Sequence, residues 1–192
     1  LGDVYKRQQL EVAIAYLTPM YLAKSFSKLR NVILKYHHKP SDPRARIKMI
    51  KPIIFENVKI ENAEVIKQAV AKNQGVLITP NHSTHADPYA MNEVSYTTKL
   101  PFYFMATWNI FHVQGKIGQW ILQKHGVFSV DRESTDRKAM EIAQDILKNK
   151  KHPLVIFPEG EVYHCNDIVT PFREGAAALS VFAARKSERP IV

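Results

Sequence analysis

The strongest constraint on the fold is a change of period at residue 76. Short apolar runs recur from there: Val76-Leu77-Ile78, Phe102-Tyr103-Phe104-Met105, Val127-Phe128-Ser129-Val130 and Leu154-Val155-Ile156-Phe157. Near-continuous apolar runs of this length suit strands buried on both faces. The stretches between them, about 88–97, 116–124 and 134–149, read as helices. The last of these turns Ala139, Ile142, Ala143, Ile146 and Leu147 inward. A further alanine-rich helix over about 174–185 is expected to be buried. Strands alternating with helices predict an α/β domain with a mainly parallel or mixed sheet flanked by helices. Ligands bind such sheets beyond the carboxyl ends of the strands, so the residues after each apolar run carry the functional argument.

The part before residue 58 reads differently. Apolar positions from Leu10 to Ile33 predict a helix kinked or broken at Pro19, which lacks the donor N–H. From Lys24 to Lys51 there are nine basic residues against the single acid Asp42. An apolar helical segment running into a basic stretch is what an interfacial membrane anchor requires, and a helix packed on the core before a solvated basic loop is the alternative. Pro40, Pro43 and Pro52 mark 36–57 as irregular, and a helix is expected from about Asn62 to Asn73 with Gly75 as its stop. The chain begins at Leu1 and ends at Arg189-Pro190-Ile191-Val192, which reads as the opening of a buried strand. It is expected to be a piece of a longer protein, with residues 1–8 a non-native leader, 9–57 a helical basic anchor and linker, and 58–192 the catalytic domain.

Charge and cysteine content narrow the function. The 27 Lys and Arg against 18 Asp and Glu leave a net charge of +9 among 192 residues, which favours an acidic partner. The basic residues cluster ahead of the sheet rather than interleaving with aromatics, which argues against nucleic acid. One cysteine excludes an internal disulfide framework. No apolar run reaches the roughly 18–20 residues that span a bilayer.

The first run leads into Asn81-His82-Ser83-Thr84-His85-Ala86-Asp87-Pro88. On one helix His82 and Asp87 would stand about 140° apart, at about 100° per residue. They meet only if His82 lies on the loop and Asp87 near the helix start, where Pro88 suits the first turn. A carboxylate on one imidazole nitrogen fixes the tautomer and leaves the other as a base. Taken alone, the spacing better fits a capping Asp87 beside a loop histidine. Arg132 follows the third run, Glu159 and Gly160 follow the fourth, and Arg173 precedes the last helix. A base, two guanidinium forks and a carboxylate at one sheet edge describe a site for a phosphate-bearing hydroxyl compound.

These blocks, NHSTHAD, GVFSVDR, FPEG and the closing PIV, resemble in order and spacing the four motif blocks of the glycerolipid acyltransferases. That family includes the glycerol-3-phosphate and 1-acylglycerol-3-phosphate acyltransferases, and the resemblance covers about 75–192. It implies that His82 is the general base and that Asp87 orients it. The acyl donor is then a thioester of coenzyme A or acyl carrier protein, with no metal or other cofactor. Arg132 would hold the acceptor phosphate, with Phe128 and Ser129 lining its approach. Glu159 and Gly160 would shape the acceptor pocket, Arg173 would add an anion contact, and Pro190 to Val192 would open the fourth block. The implied acceptor is a phosphorylated glycerol or lysophospholipid, 1-acylglycerol-3-phosphate foremost, handled at the cytoplasmic face of an anionic membrane by a peripheral or monotopic protein in phospholipid biosynthesis. One departure stands out: many lysophosphatidate-type members follow FPEG with a small hydroxyl residue and arginine, whereas this chain has Glu161-Val162-Tyr163.

Three other readings compete. His82, His85 and Asp87, with His164, Cys165 and Asp167, could make a metallohydrolase, although Ser83 and Pro88 occupy two positions where the compact HxHxDH pattern needs histidine. A membrane-surface binder with an inactive acyltransferase fold would also use the positive charge. A serine or cysteine hydrolase lacks its GxSxG elbow. His85 and Trp108 are expected to be structural.

Overall fold

In a computed structural model that describes residues 58–165 and 168–192, the apolar runs become four parallel strands. The order along the chain is α1 (Ala63–Ala71), β1 (Leu77–Ile78), α2 (Asp87–Thr98), β2 (Tyr103–Thr107), α3 (Trp108–Val113), α4 (Gly115–Lys124), β3 (Val127–Val130), α5 (Arg137–Asn149), β4 (Leu154–Val155) and α6 (Glu174–Arg185). Across the sheet the order is β1-β4-β2-β3, every pair parallel. Leu77 faces Leu154 in register, Tyr103 faces Leu154 on the other side, and Phe104 faces Val127. The expected leader over 1–8 and anchor over 9–57 lie outside the described residues.

Alternation along the strands fills two cores. Tyr103, Phe128 and Leu154 point to one face, where Ala143, Ile146 and Leu147 of α5 and Leu179 and Ala183 of α6 cover them. Phe102, Phe104 and Val155 point to the other, against Ile66 of α1 and Met91 and Val94 of α2. Burial on both faces explains why the runs read as continuous rather than alternating apolar sequence. Pro190 to Val192 lie beside β1: the Gly75 N–H donates to Pro190 O at 2.9 Å, Val192 N–H to Gly75 O at 2.8 Å and Leu77 N–H to Val192 O at 2.8 Å.

The elements differ from expectation in three places. β4 ends at Val155 although the apolar run continues to Phe157: Ile156 still donates its N–H to Ile78 O at 3.0 Å and packs on the core, whereas Phe157 stacks on the His82 ring. Helix α3 follows β2 directly; its mixed aromatic and β-branched sequence, Trp108-Asn109-Ile110-Phe111-His112-Val113, carries no helical period. Helix α6 is not buried all round: Leu179 and Ala183 are enclosed while Val181 and Phe182 are half exposed, since a single stripe of it meets α5 and the sheet.

Gly75 is where the sheet and α5 press together. A Cβ built there would stand 2.1 Å from the Leu147 carbonyl oxygen and 2.5 Å from Ile191 Cδ1. That carbonyl is held by Arg189, whose Nη2 and Nε donate to it at 2.7 and 3.0 Å. Gly75→Ala is therefore expected to destabilise the fold by about 1–3 kcal/mol, the usual cost of overpacking. Urea denaturation checks it; an unchanged midpoint would show that α5 and β1 are not in this contact.

Candidate active site

His82 leaves the end of β1 on a loop and Asp87 is the first residue of α2, with Pro88 beside it in the first turn. This places the pair at hydrogen-bond distance, His82 Nδ1 to Asp87 Oδ2 3.0 Å. Asp87 is further held by Thr84, whose N–H donates to Oδ2 at 2.8 Å and whose hydroxyl donates to Oδ1 at 3.1 Å. Ala86 N–H donates to the Thr84 hydroxyl at 3.1 Å and fixes that rotor. Burial pushes the Asp87 carboxyl up, but the bonds from His82 and Thr84 outweigh it and leave the group below the ordinary carboxylate range. An ionised carboxylate accepts at this edge, so the tautomer it favours in a neutral imidazole has the proton on Nδ1 and the lone pair on Nε2.

The end of β4 holds the same histidine from the other side. Phe157 stacks on the His82 ring with centroids 4.2 Å apart and planes at 25°. Glu159, 4% exposed, accepts the His82 backbone N–H at 2.6 Å through Oε1 and the Thr170 hydroxyl through Oε2. The Thr170 bond is the largest influence on Glu159, and with the His82 N–H it overcomes burial and holds the carboxyl below its ordinary range. His85 sits half-buried with its ring edge-on to His164, centroids 5.3 Å apart. Burial first, then the His164 and His82 rings, lower its pKa and keep it neutral near pH 7.

The two arginines line one open cleft of about 260 Å³, together with Thr107, Trp108, Asn109, Glu133 and Glu161. Arg132 sits in a loop built by Asp131, which is buried and accepts Glu133 N–H at 3.0 Å and the Ser134 hydroxyl at 2.6 Å. Arg173 folds back over the turn after β4. Its N–H donates to Pro158 O at 2.8 Å, Nε to Glu159 O at 3.3 Å, and Nη2 meets Glu161 Oε1 at 3.3 Å. Gly160 permits this: its φ is +77°, and a Cβ there would lie 2.7 Å from Arg173 Nε.

The structure thus joins His82, Asp87 and Glu159 in one cluster and Arg132 and Arg173 in one cleft, with Arg173 and Glu159 linking them. Phe128 and Ser129 are placed otherwise than expected. Both are buried, Phe128 wholly within the core under α5 and α6, because strand alternation turns Phe128 away from the cleft. The cleft wall comes instead from Thr107, Trp108 and Asn109, and Trp108 is thereby more than a structural aromatic. Thr84, Asp131, Phe157 and Thr170 were not singled out in the sequence. Thr84 had a readable signal, a hydroxyl residue three before an aspartate at a helix start; Thr170 had none, since a loop carries it back to Glu159. Among the described residues no group of three or more His, Cys, Asp or Glu is placed to hold a metal ion, so the metallohydrolase reading gains no support from their geometry. No helix among them is long and apolar enough to cross a membrane.

Comparison with known proteins identifies the family to which this parallel α/β sheet, with its histidine–aspartate pair beyond one strand and its arginine cleft, belongs. The model of the acyltransferase family matches residues 57–192, and the chain belongs to that family. It is 32% identical over 117 residues to a curated relative from Streptococcus pneumoniae (strain ATCC BAA-255 / R6) described as a 1-acyl-sn-glycerol-3-phosphate acyltransferase. The match takes in 60% of this chain and 40% of the relative, so it spans less than half of that protein's length. No solved structure matches the chain significantly.

Thr84→Val tests the carboxylate's environment. Losing the hydroxyl donor is expected to raise the Asp87 pKa toward its ordinary value, read by carbon-13 NMR of labelled aspartate. Since Asp87 and Glu159 are both depressed in the folded state, their contribution to stability is full above the unfolded values of about 4. It is lost as pH falls through the lower folded values. Thr84→Val should move the Asp87 part of that loss to higher pH; an unshifted Asp87 titration would exclude the Thr84 bond.

Proposed function

We propose that this protein moves a fatty acyl group from a thioester to a hydroxyl of a glycerol-phosphate acceptor, with 1-acylglycerol-3-phosphate the acceptor best supported. The observation that carries the reading is the 3.0 Å bond between His82 Nδ1 and Asp87 beside a cleft bearing two guanidinium groups. The acceptor O–H gives its proton to His82 Nε2 as its oxygen bonds to the thioester carbonyl carbon. Asp87 stabilises the imidazolium so formed. The tetrahedral intermediate then expels the thiolate, the C–S bond breaks, and the imidazolium returns the proton to sulfur. The thioester is already activated, so the reading calls for no metal or other cofactor, and a positioned base supplies about 10²–10⁴-fold.

Arg132 binds the acceptor phosphate in this reading. Among the described residues no carboxylate pairs with it, whereas Arg173 is tied to Glu161 and contributes less cationic character. Glu159 is a positioning residue that fixes the loop bearing His82, and Gly160 makes room for Arg173. Phe128 and Ser129 support the strand from which Arg132 projects rather than touching the acceptor. The donor is acyl-CoA or acyl carrier protein. Work at an anionic membrane surface, at its cytoplasmic face, is supported by the basic stretch from Lys24 to Lys51 and by the lipid nature of such an acceptor.

Thiol release from acyl-CoA with lysophosphatidate, with glycerol-3-phosphate or with no acceptor tests the reading. Release is expected to require acceptor and to fall by about 10²–10⁴-fold in His82→Ala. Acceptor-independent release would make the protein a thioesterase and overturn the proposal. Arg132→Ala is expected to raise the acceptor KM about tenfold or more with a small effect on the donor KM, as loss of a charged hydrogen-bonding fork implies. Glu161→Gln frees Arg173 and is expected to lower the KM for a phosphomonoester acceptor; an increase would show that Glu161 itself binds the acceptor.

A further inference from the structure

Helix α4 has its polarity reversed. Gly118, Gln119, Leu122 and Gln123 form its half-buried side, and Gln119 Nε2 donates inward to Phe111 O at 3.0 Å. No residue of the helix is fully buried. On the outer side Ile117 is 77% exposed, Trp120 57% and Ile121 38%. Spacings of three and four residues put these side chains on one face. A helix whose surroundings are only water and its own domain turns such residues the other way.

The charge around this face is of one sign. No acidic residue occurs from Val94 to Val130, while Lys116 and Lys124 flank the apolar stripe. Lys124 Nζ lies 5.8 Å from the centroid of the Trp120 ring, so the cation stands at the edge of the apolar surface. Isoleucine and tryptophan side chains with lysines at their rim fit a lipid boundary, with acyl chains taking the former and anionic headgroups the latter. Trp108 and Asn109 of the cleft wall are the first residues of α3, the helix immediately before α4.

We infer that the Ile117, Trp120 and Ile121 face of α4, with Lys116 and Lys124, docks on an anionic lipid bilayer. It is a contact distinct from the basic segment before residue 58, and it rests on the proposed function only in that a lipid acceptor would be drawn from that bilayer. The lysines meet the anionic headgroups, and the two isoleucines supply the apolar part.

The test uses the full chain and vesicles of phosphatidylcholine with or without phosphatidylglycerol, with brominated lipid as a quencher. The chain has two tryptophans, so wild type minus Trp120→Phe isolates the Trp120 signal. Trp120 is expected to shift to the blue and be quenched in vesicle-bound protein. Ile117→Gln with Ile121→Gln should weaken vesicle binding about tenfold or more, and Lys116→Gln with Lys124→Gln should cut the preference for phosphatidylglycerol about tenfold. A vesicle-bound protein with unquenched Trp120 overturns the inference. So does a Trp120 already shielded from soluble quencher without vesicles, which would place another part of the chain or a second copy on this face. Acyl transfer in detergent separates the two proposals: an inactive wild type with quenched Trp120 overturns the functional reading alone, and an active one with unquenched Trp120 overturns the docking face alone.

Discussion

Glu159 accepts the His82 backbone N–H through one carboxylate oxygen and the Thr170 hydroxyl through the other, and the site's geometry depends on that bridge. The loop after β1 and the turn after β4 are separated by some 77 residues of chain, yet this one side chain binds them together. Burying a carboxylate is costly unless it is hydrogen-bonded, and here both oxygens have donors. Removing either donor would leave a buried acceptor exposed to that cost. The same turn sends Phe157 under the His82 ring and, through Gly160, lets Arg173 fold across. The imidazole is thereby held at its ring face, its Nδ1 edge and its backbone, and among the described residues Nε2 is left outside that bracing.

Electrostatics divide the two cationic side chains. Arg173 spends its hydrogen-bonding capacity on the protein: the Glu159 carbonyl and the Glu161 carboxylate. Arg132 projects from a loop that Asp131 and Asp136 brace through backbone and hydroxyl donors, so its carboxylate neighbours stiffen the loop rather than neutralise the guanidinium. Among the described residues the cleft therefore holds one guanidinium tied to a carboxylate, Arg173, and one with no carboxylate partner, Arg132. Glu133 and Glu161 in the same lining temper the positive field.

The sequence carried the α/β alternation and the four strand positions, because burial on both faces leaves a strong local pattern; the spacing of His82 and Asp87 alone left a capping role open, and only the resemblance of the ordered motif blocks pointed to the pair. It carried Arg132 and Arg173 to one edge through the strand-end rule alone. It did not carry side-chain direction. Phe128 lies within an apolar run that looks the same on either face, and only its place in the core with Ala143, Leu147 and Leu179 shows that it points away from the cleft. Trp108 was read as structural, although its place immediately after β2 puts it in the wall of the arginine cleft. Thr170 and the Glu161–Arg173 pair depend on a loop returning over itself, which no local pattern encodes.

Strand order then explains why these side chains gather at one edge of the sheet. With β4 inserted between β1 and β2, the residues following neighbouring strands run from imidazole to carboxylate to aromatic wall to arginine: His82, Glu159, Trp108, Arg132. Parallel pairing points all four carboxyl ends the same way, so none of these groups requires a long excursion to reach its neighbour. Exchanging β4 with β2 would separate Glu159 from the His82 loop and strand the histidine on an unbraced turn. The chemistry therefore rests less on any one motif than on the crossover that brings the last strand in beside the first.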